Sequence, residues 1–227
     1  MTVLGLASVA LALVFGIALG NVVRGVPLDP TGYFFLPLWT GFTPWGQTGA
    51  IDWYTLLVGI ASVLTLAVHG GLWLALKTRG ELQVRARACA AMCQSAQILL
   101  MLPVTIASFA IQPHLIRQLR QQPWGAIFIL LAAAGATGAR LFSRKERDLP
   151  AFLASALSIT GILCSAAFGI FPNLLLSNTT PDYSLTVFNA ATGAYGLSTA
   201  LYWFVPGMVL AIGYFVVVYS RFAGEEV

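Results

Sequence analysis

The stretch from Trp53 to Leu76 constrains the fold of this chain more than any other. It carries a single ionisable side chain, His69, among apolar and small residues. As an α-helix it would be roughly 36 Å long, which is enough to cross a bilayer with some tilt. A cationic cluster at 77–87 follows directly, and the positive-inside rule assigns such clusters to the cytoplasmic face. This stretch therefore predicts both a membrane span and its orientation.

The composition of the whole chain extends this prediction. Only 9% of the residues are charged and 58% are hydrophobic, whereas about a quarter of the residues in a soluble domain are charged. The net charge of +4 resides between apolar segments, where basic residues set the topology and meet the headgroups of membrane lipid. We therefore expect a polytopic membrane protein in contact with lipid, and we do not expect nucleic acid as a partner.

Six apolar segments are long enough to be spans: 3–20, 53–76, 88–111, 124–142, 150–171 and 195–219. With the amino terminus inside, only Arg24, Arg117 and Arg120 of the 12 Lys and Arg residues fall on the outer side. That asymmetry favours cytoplasmic termini. We predict an all-α transmembrane helix bundle, a single domain over residues 1–227, with both termini cytoplasmic.

Several residues have predictable packing roles. Gly16 and Gly20 have the GxxxG spacing that lets a second helix backbone approach closely. Gln94 and Gln97 are polar inside a span, so they should face other helices. Asp52 precedes the second span and is expected to be its N-cap rather than an acid catalyst, since a carboxylate there accepts from a free N–H and meets the positive end of the helix dipole.

His69 is the ionisable residue placed deepest within a predicted span. It could be a haem ligand paired with Met92, Met101 or Met208, or a group in a proton relay. The simplest expectation is a histidine bonded to the backbone of a neighbouring helix or to a water. Neither the three cysteines nor the second histidine, His114, completes a metal-ligand set, and His114 is expected to be an exposed loop residue.

The inner connection after the second span has its own pattern. Lys77, Glu81 and Arg85 are spaced i, i+4, i+8, so they would share one face if the helix continued past Gly80. Such a face suits solvent or an acidic patch on a partner. No phosphate-binding, hydrolase or metalloprotease motif occurs anywhere in the chain.

The chain also resembles subunit II of the cytochrome bd quinol oxidases. The resemblance is carried by blocks that recur in the order of the family and spread over nearly the whole chain: GNVVRGVPLD (21–30), DWYTLLVG (52–59), HGGLWLALKTRGEL (69–82), FGIFPNLL (168–175) and SLTVFNAATG (184–193).

The resemblance implies a haem-free subunit of an oxidoreductase in a bacterial inner membrane. Its partner would be a haem-bearing subunit I, which carries haems b and d. The complex would oxidise quinol, reduce dioxygen to water and so build a proton gradient, while this chain alone would be non-catalytic. Some members of the family also hold a structural quinone in subunit II.

Family members open with further helices that carry the acidic residues usually assigned to a proton path, and the chain has no counterpart of these. We therefore expect an amino-terminally shortened member and carry no catalytic, cofactor-binding or metal-binding residue over to it. The matching positions expected to fix loop geometry and the subunit interface are Asn21, Arg24, Asp52, His69, Lys77 and Glu81. Two alternatives remain, a transporter or permease module with helices broken by Pro103 and Pro206, and a non-catalytic membrane scaffold.

Overall fold

The computed structural model describes residues 2–43 and 48–221, and these residues form seven α-helices and one small hairpin. The helices are α1 (Thr2–Arg24), α2 (Trp53–Lys77), α3 (Gly80–Ile111), α4 (Pro113–Gln121), α5 (Ala126–Arg144), α6 (Asp148–Ile170) and α7 (Ala194–Arg221). All except α4 are long and apolar enough to cross a membrane. The predicted all-α bundle of six spans is confirmed.

The first span is longer than the sequence predicts. Helix α1 runs to Arg24 rather than ending at Gly20, so Asn21 and Arg24 belong to its last turn and not to the following loop. Gly25 ends it with a φ of +92°, and a Cβ at this position would lie 2.8 Å from the carbonyl oxygen of Leu176. Glycine is therefore required there both by its backbone conformation and by the approach of a distant loop.

The third span begins earlier than predicted, at Gly80 instead of residue 88. Helix α2 ends at Lys77, and Gly80 restarts the chain in a new direction with a φ of +68°. The condition for stacking Lys77 with Glu81 and Arg85 therefore fails. The predicted span begins only after the charged residues Glu81, Arg85 and Arg87, but charge prevents burial in lipid and not helix formation.

The segment predicted as an outer loop at 112–123 contains a helix, α4. Its buried face carries Leu115 and Gln118, while Arg117 and Arg120 are exposed. This amphipathic spacing is typical of a short surface helix, and α4 packs against α6. His114 is accordingly a partly buried helical residue whose Nε2–H donates to the carbonyl of Phe171 at 3.1 Å, which corrects the loop prediction.

The loops at the α4 end of the bundle form a cap. Strand β1 (Asn173–Leu175) pairs antiparallel with β2 (Leu185–Thr186), with Asn173 opposite Thr186. Val26, in the loop after α1, donates its N–H to Leu176 at 2.9 Å and accepts from the N–H of Asn178 at 3.1 Å. Two loops far apart in the chain are thereby joined by backbone hydrogen bonds.

Small residues set the closest helix contacts. A Cβ on Gly16 would lie 2.7 Å from Cα of Gly59, so the prediction of close packing at this position is confirmed between α1 and α2. Gly135 of α5 and Gly161 of α6 are at least as tight, since a Cβ added at either would lie 2.4 Å from a backbone nitrogen of the opposite helix. In lipid, where apolar surfaces gain little by associating, such backbone proximity supplies the van der Waals contact that holds helices together.

Two buried clusters lie at opposite ends of the bundle. The first joins Val23, Tyr54, Leu115, Ile170 and Leu176. The second joins Val68, Leu72, Ala90, Ala139 and Ala151. Helix α7 belongs to neither, since none of its residues is buried, and its ring contact with the bundle is that of Tyr219 with Trp73, 6.3 Å between centroids.

Candidate functional site

The first cluster lies beside a buried polar network, which we call the outer network and define as Asn21, Arg24, Asp52, Thr55 and Gln112; outer and inner denote the predicted orientation of the chain. Arg24 ends α1 and Asp52 precedes α2, so each charge lies at the end of a helix dipole that stabilises it. Arg24 Nη1 forms an ion pair with Asp52 Oδ2, and only 4% and 8% of the two side chains are exposed. The charges are withdrawn from solvent and compensate one another.

The same arginine holds the end of the first long loop. Arg24 Nη2 donates to the carbonyl of Gly49 at 2.9 Å and to Asn21 Oδ1. Asn21 Nδ2 donates to the carbonyl of Ala50 at 2.8 Å and to that of Ile17. The loop residues directly before α2 are thereby fixed to the last turn of α1.

Asp52 also caps α2, as predicted. Its Oδ1 accepts from the N–H of Thr55 at 2.9 Å, while the N–H of Asp52 donates to Thr55 Oγ1 at 2.9 Å. This reciprocal capping box satisfies two backbone donors at the helix start. One carboxylate therefore serves both as the N-cap of α2 and as the partner of Arg24.

Gln112, the residue between α3 and α4, completes the outer network. Gln112 Nε2 donates to the carbonyl of Arg24 at 3.1 Å. Nearby, the hydroxyl of Tyr54 lies 2.9 Å from that of Ser108, and Tyr54 is 1% exposed. The sequence did not indicate the roles of Tyr54, Ser108 and Gln112. The ion pair of Arg24 with Asp52 was open to prediction, since these are two opposite charges on a sparsely charged side.

A second polar region, the intramembrane seam, crosses the middle of the bundle at His69, Gln94, Gln97, Ser155 and Ser158. Gln94 Nε2 donates to the carbonyl of Ala136 on α5 at 2.9 Å, and Gln97 Nε2 donates to Thr65 Oγ1 on α2 at 2.9 Å. Both glutamines face neighbouring helices, as predicted. Their amides bind α3 to α5 and to α2, where lipid could offer no hydrogen bonds.

His69 contacts α6 through a side chain rather than through the backbone. Its Nδ1 is 2.8 Å from Ser155 Oγ, and its ring stacks on Phe152 with centroids 4.6 Å apart. Ser155 donates its one proton to the carbonyl of Phe152 at 2.7 Å. Ser155 must therefore accept from His69, which assigns the imidazole proton to Nδ1 and leaves Nε2 as a bare acceptor.

Lys77 and Glu81 stay apart from these two regions and from one another. The Lys77 ammonium lies over the Trp73 ring, 5.3 Å from its centroid. Glu81 is exposed at the start of α3, with its carboxylate 4.0 Å from Arg85. The six predicted positions thus fall into four places, and only Asn21, Arg24 and Asp52 share one site.

The opposite end of the bundle carries an ion pair that the sequence reasoning did not anticipate. Arg87 of α3 binds Asp148 of α6 in a bidentate manner, with Nε to Oδ1 at 2.9 Å and Nη2 to Oδ2 at 2.6 Å. Gln83 Nε2 donates to Asp148 at 3.0 Å and to the carbonyl of Ala75 at 3.0 Å. This inner network joins the end of α2 and the starts of α3 and α6.

No group of three or more His, Cys, Asp or Glu side chains that could hold a metal occurs within 2–43 and 48–221. The ring and Nδ1 contacts of His69 are both with α6, while Met92, one of the methionines considered as its partner, is 70% exposed on α3. Ser155 lies within hydrogen-bond distance of His69, but its hydroxyl donates to the carbonyl of Phe152, so the imidazole does not take the hydroxyl proton as a general base would. The hydrogen bonds of both polar regions join helices to one another and to loops.

The family of the chain follows from comparison with known proteins. The model of the family described as cytochrome bd terminal oxidase subunit II matches residues 1–222. The chain belongs to this family. The outer network, the intramembrane seam and the inner network are therefore features of a cytochrome bd subunit II chain, and the resemblance inferred from the sequence is confirmed.

Three relatives illustrate the similarity. The probable cytochrome oxidase subunit 2 of Haemophilus influenzae is 27% identical over 94% of this chain and 62% of its own length. The cytochrome bd-I ubiquinol oxidase subunit 2 of Escherichia coli K12 is 25% identical over 82% of the chain and 55% of its own length. The cytochrome bd ubiquinol oxidase subunit 2 of Bacillus subtilis is 25% identical over 81% and 51%. The chain thus spans about half to three-fifths of the length of these relatives.

Proposed function

We propose that this chain is a haem-free subunit II of a cytochrome bd-type quinol:oxygen oxidoreductase in a bacterial inner membrane. It would support a haem-bearing subunit I, on which haems b and d carry out quinol oxidation and the reduction of dioxygen to water. The chain itself would be non-catalytic. The family match across residues 1–222 carries this proposal.

The surface of the bundle is consistent with a partner in the membrane. None of the residues in α7 is buried, and a Cβ added at Gly207 or Gly213 would meet nothing within 4 Å. Small residues on an unpacked helix leave room for a second backbone at close range. A partner subunit packed on α7 would account for a span that makes so little contact with its own bundle.

The outer network would serve this complex by shaping the surface on the outer side. Asn21, Arg24 and Asp52 hold the residues before α2 in one conformation through buried hydrogen bonds. A rigid loop at an interface is already ordered before the partner binds, so less conformational entropy is lost on assembly. We assign these three residues to loop geometry, and Lys77 and Glu81 to the inner surface that faces solvent or a partner.

His69 would contribute to the interface within the membrane. Its Nδ1–H is held by Ser155, and the bare Nε2 can accept a hydrogen bond from another group. A bare acceptor at membrane depth is costly unless another group meets it. A donor from a partner helix or a bound water would satisfy Nε2, and we therefore assign His69 to assembly.

The test is co-expression of the full chain with and without a subunit I of the family. We expect the chain alone to show no Soret band, and the co-purified complex to show haem b and haem d absorbance with quinol-dependent oxygen consumption. Haem retained by the isolated chain would contradict the haem-free assignment. An unchanged yield and haem content of subunit I in the absence of the chain would contradict the supporting role.

Replacement of His69 by Ala refines the test. We expect a lower yield of complex with unchanged haem per complex, and Ser155→Ala is the matched control because it removes the same hydrogen bond from the opposite side. Loss of haem at unchanged yield of complex would instead make His69 a ligand. The comparisons give no support to the transporter or permease alternative.

A further inference from the structure

A cavity of about 340 Å³ lies between α3 and α5 beside the inner network. Its cationic walls are Arg87, Arg140 and Arg144, and its apolar floor is formed by Val84, Ala88 and Ala91 of α3. The volume corresponds to on the order of ten water molecules, whereas the gap within the intramembrane seam is about 10 Å³. We call this cavity the inner groove.

The charges in the inner groove are unequally compensated. Arg87 is bound by Asp148, and the carboxylate of Glu146 lies 3.4 Å from its Nη1, so both nearby acids are engaged by one arginine. Arg140 Nη1 donates to the carbonyl of Ala91 at 2.6 Å, a neutral partner. Within the part of the chain that the structure describes, neither Arg140 nor Arg144 forms an ion pair with a carboxylate. The cavity is therefore lined by three arginines and one acid, Glu146, and that acid is paired with Arg87 and not with Arg140 or Arg144.

The position of the inner groove indicates what kind of anion it takes. Arg144 ends α5 and Arg140 lies one turn deeper, so the charges lie at the end of a span rather than beyond it. The floor residues Val84, Ala88 and Ala91 follow one face of α3, and Val84 is 62% exposed. The two arginines lie at the depth of the lipid headgroups, and the exposed apolar residues of α3 lie next to them. This arrangement is complementary to an amphiphile with an anionic headgroup.

We propose that the inner groove binds an anionic phospholipid, with its phosphate between Arg140 and Arg144 and the start of an acyl chain along Val84, Ala88 and Ala91. Guanidinium groups bind phosphate oxygens through paired N–H donors, and basic pockets between membrane helices on the cytoplasmic side are suited to anionic headgroups. The hydrogen bond from Arg140 to the carbonyl of Ala91 fixes the position of its guanidinium group in the groove. The proposal rests on the groove alone and is independent of the oxidase assignment.

The experiment measures lipid retention by native mass spectrometry on the full chain in mild detergent. Phosphatidylglycerol and phosphatidylcholine with identical acyl chains are titrated separately. The wild-type chain should retain phosphatidylglycerol in preference to phosphatidylcholine. The double variant R140Q/R144Q should bind phosphatidylglycerol about tenfold more weakly, since each surface arginine contributes appreciably to binding an anionic lipid. Arg85→Gln is the matched control, because it removes an exposed charge at the same end, outside the cavity.

A second variant separates a lipid from a free anion. Ala88→Phe fills the apolar floor at an exposed position, so it should weaken phosphatidylglycerol retention and leave the binding of inorganic phosphate unchanged. Equal retention of phosphatidylglycerol by wild type and R140Q/R144Q would overturn the site. An equal loss of phosphatidylglycerol binding in Arg85→Gln would show that general surface charge, and not the inner groove, binds the lipid. Displacement of the lipid by inorganic phosphate at similar concentration would show that the groove binds a simple anion.

Discussion

The two ends of the bundle use the same ion pair, arginine with aspartate, in opposite ways. At the outer end Arg24 and Asp52 are almost completely withdrawn from solvent. At the inner end 20% of the Arg87 side chain and 12% of the Asp148 side chain remain exposed, and further arginines surround them. Because the outer pair is buried, removing either partner would leave a desolvated, unpaired charge and strongly destabilise the fold. The inner pair is one favourable contact within a cationic surface.

This difference follows from the distribution of charge along the chain. On the outer side Arg24 is the one Lys or Arg residue before Lys77 in the sequence, so its ion pair with Asp52 can be enclosed by the loops of the cap. On the inner side the basic residues cluster at 77–87 and 140–147, and their mutual repulsion keeps most of them at the surface. The outer end is therefore built to hold a conformation, and the inner end to meet headgroups and solvent.

The largest expected effect concerns which end faces outward. In a background without native cysteines, Cys introduced at Asn178 should be labelled by an impermeant maleimide in intact cells, whereas Cys at Lys145 should be labelled only after the membrane is opened. Both positions are exposed, so burial cannot explain a difference. The reverse pattern would exchange the two ends and overturn the predicted cytoplasmic termini.

Replacement of Arg24 by Met should cost about 3–5 kcal/mol of unfolding free energy, since Asp52 would be left as an unpaired buried charge. Denaturant unfolding of the purified chain measures the change. Arg117→Gln, which removes an exposed outer charge on α4, is the control and should have little effect. Comparable losses in the two variants would show that burial of the outer pair does not set its importance.

A smaller loss is expected at the inner pair. Arg87→Gln should destabilise the chain by about 1–2 kcal/mol, because the bidentate hydrogen bonds are partly accessible to solvent. A double-mutant cycle with Asp148→Asn measures the coupling. A loss as large as that of Arg24→Met would remove the distinction between the two ends.

The smallest expected effect is at Asp29, an exposed carboxylate of the cap. The Thr31 hydroxyl and the N–H groups of Thr31 and Tyr33 donate to it, and these hydrogen bonds, the Thr31 hydroxyl first, lower the pKa of Asp29 below its ordinary value. A lowered pKa in the folded state adds stability above the ordinary carboxyl pKa and loses it as pH falls through the lowered value. Local protection from hydrogen exchange at residues 29–33 should therefore fall slightly in acid, and Asp29→Asn should remove that dependence. A pH dependence that survives in Asp29→Asn would assign it to another group.

Much of the architecture is predictable because the signals for it are local. Hydropathy predicts six spans, the spacing of Gly16 and Gly20 predicts a close helix contact, and Asp52 before an apolar run predicts an N-cap, all as observed. The errors arise where polarity was taken to end a helix. Residues 21–24 extend α1, residues 80–87 begin α3 and residues 113–121 form α4, because polar residues form helices readily wherever the backbone donors remain paired.

The sequence by itself determined the number of spans, the small residues at their contacts and the asymmetry of charge between the two sides, since each depends on neighbours within a few turns of helix. Only the tertiary structure decided which charges meet. Arg24 pairs with Asp52 across the first long loop, and Arg87 pairs with Asp148, which is 61 residues away in the sequence. A long-range pair forms only when two helix ends are packed side by side, and that packing is the sum of many weak contacts that no single stretch of sequence contains.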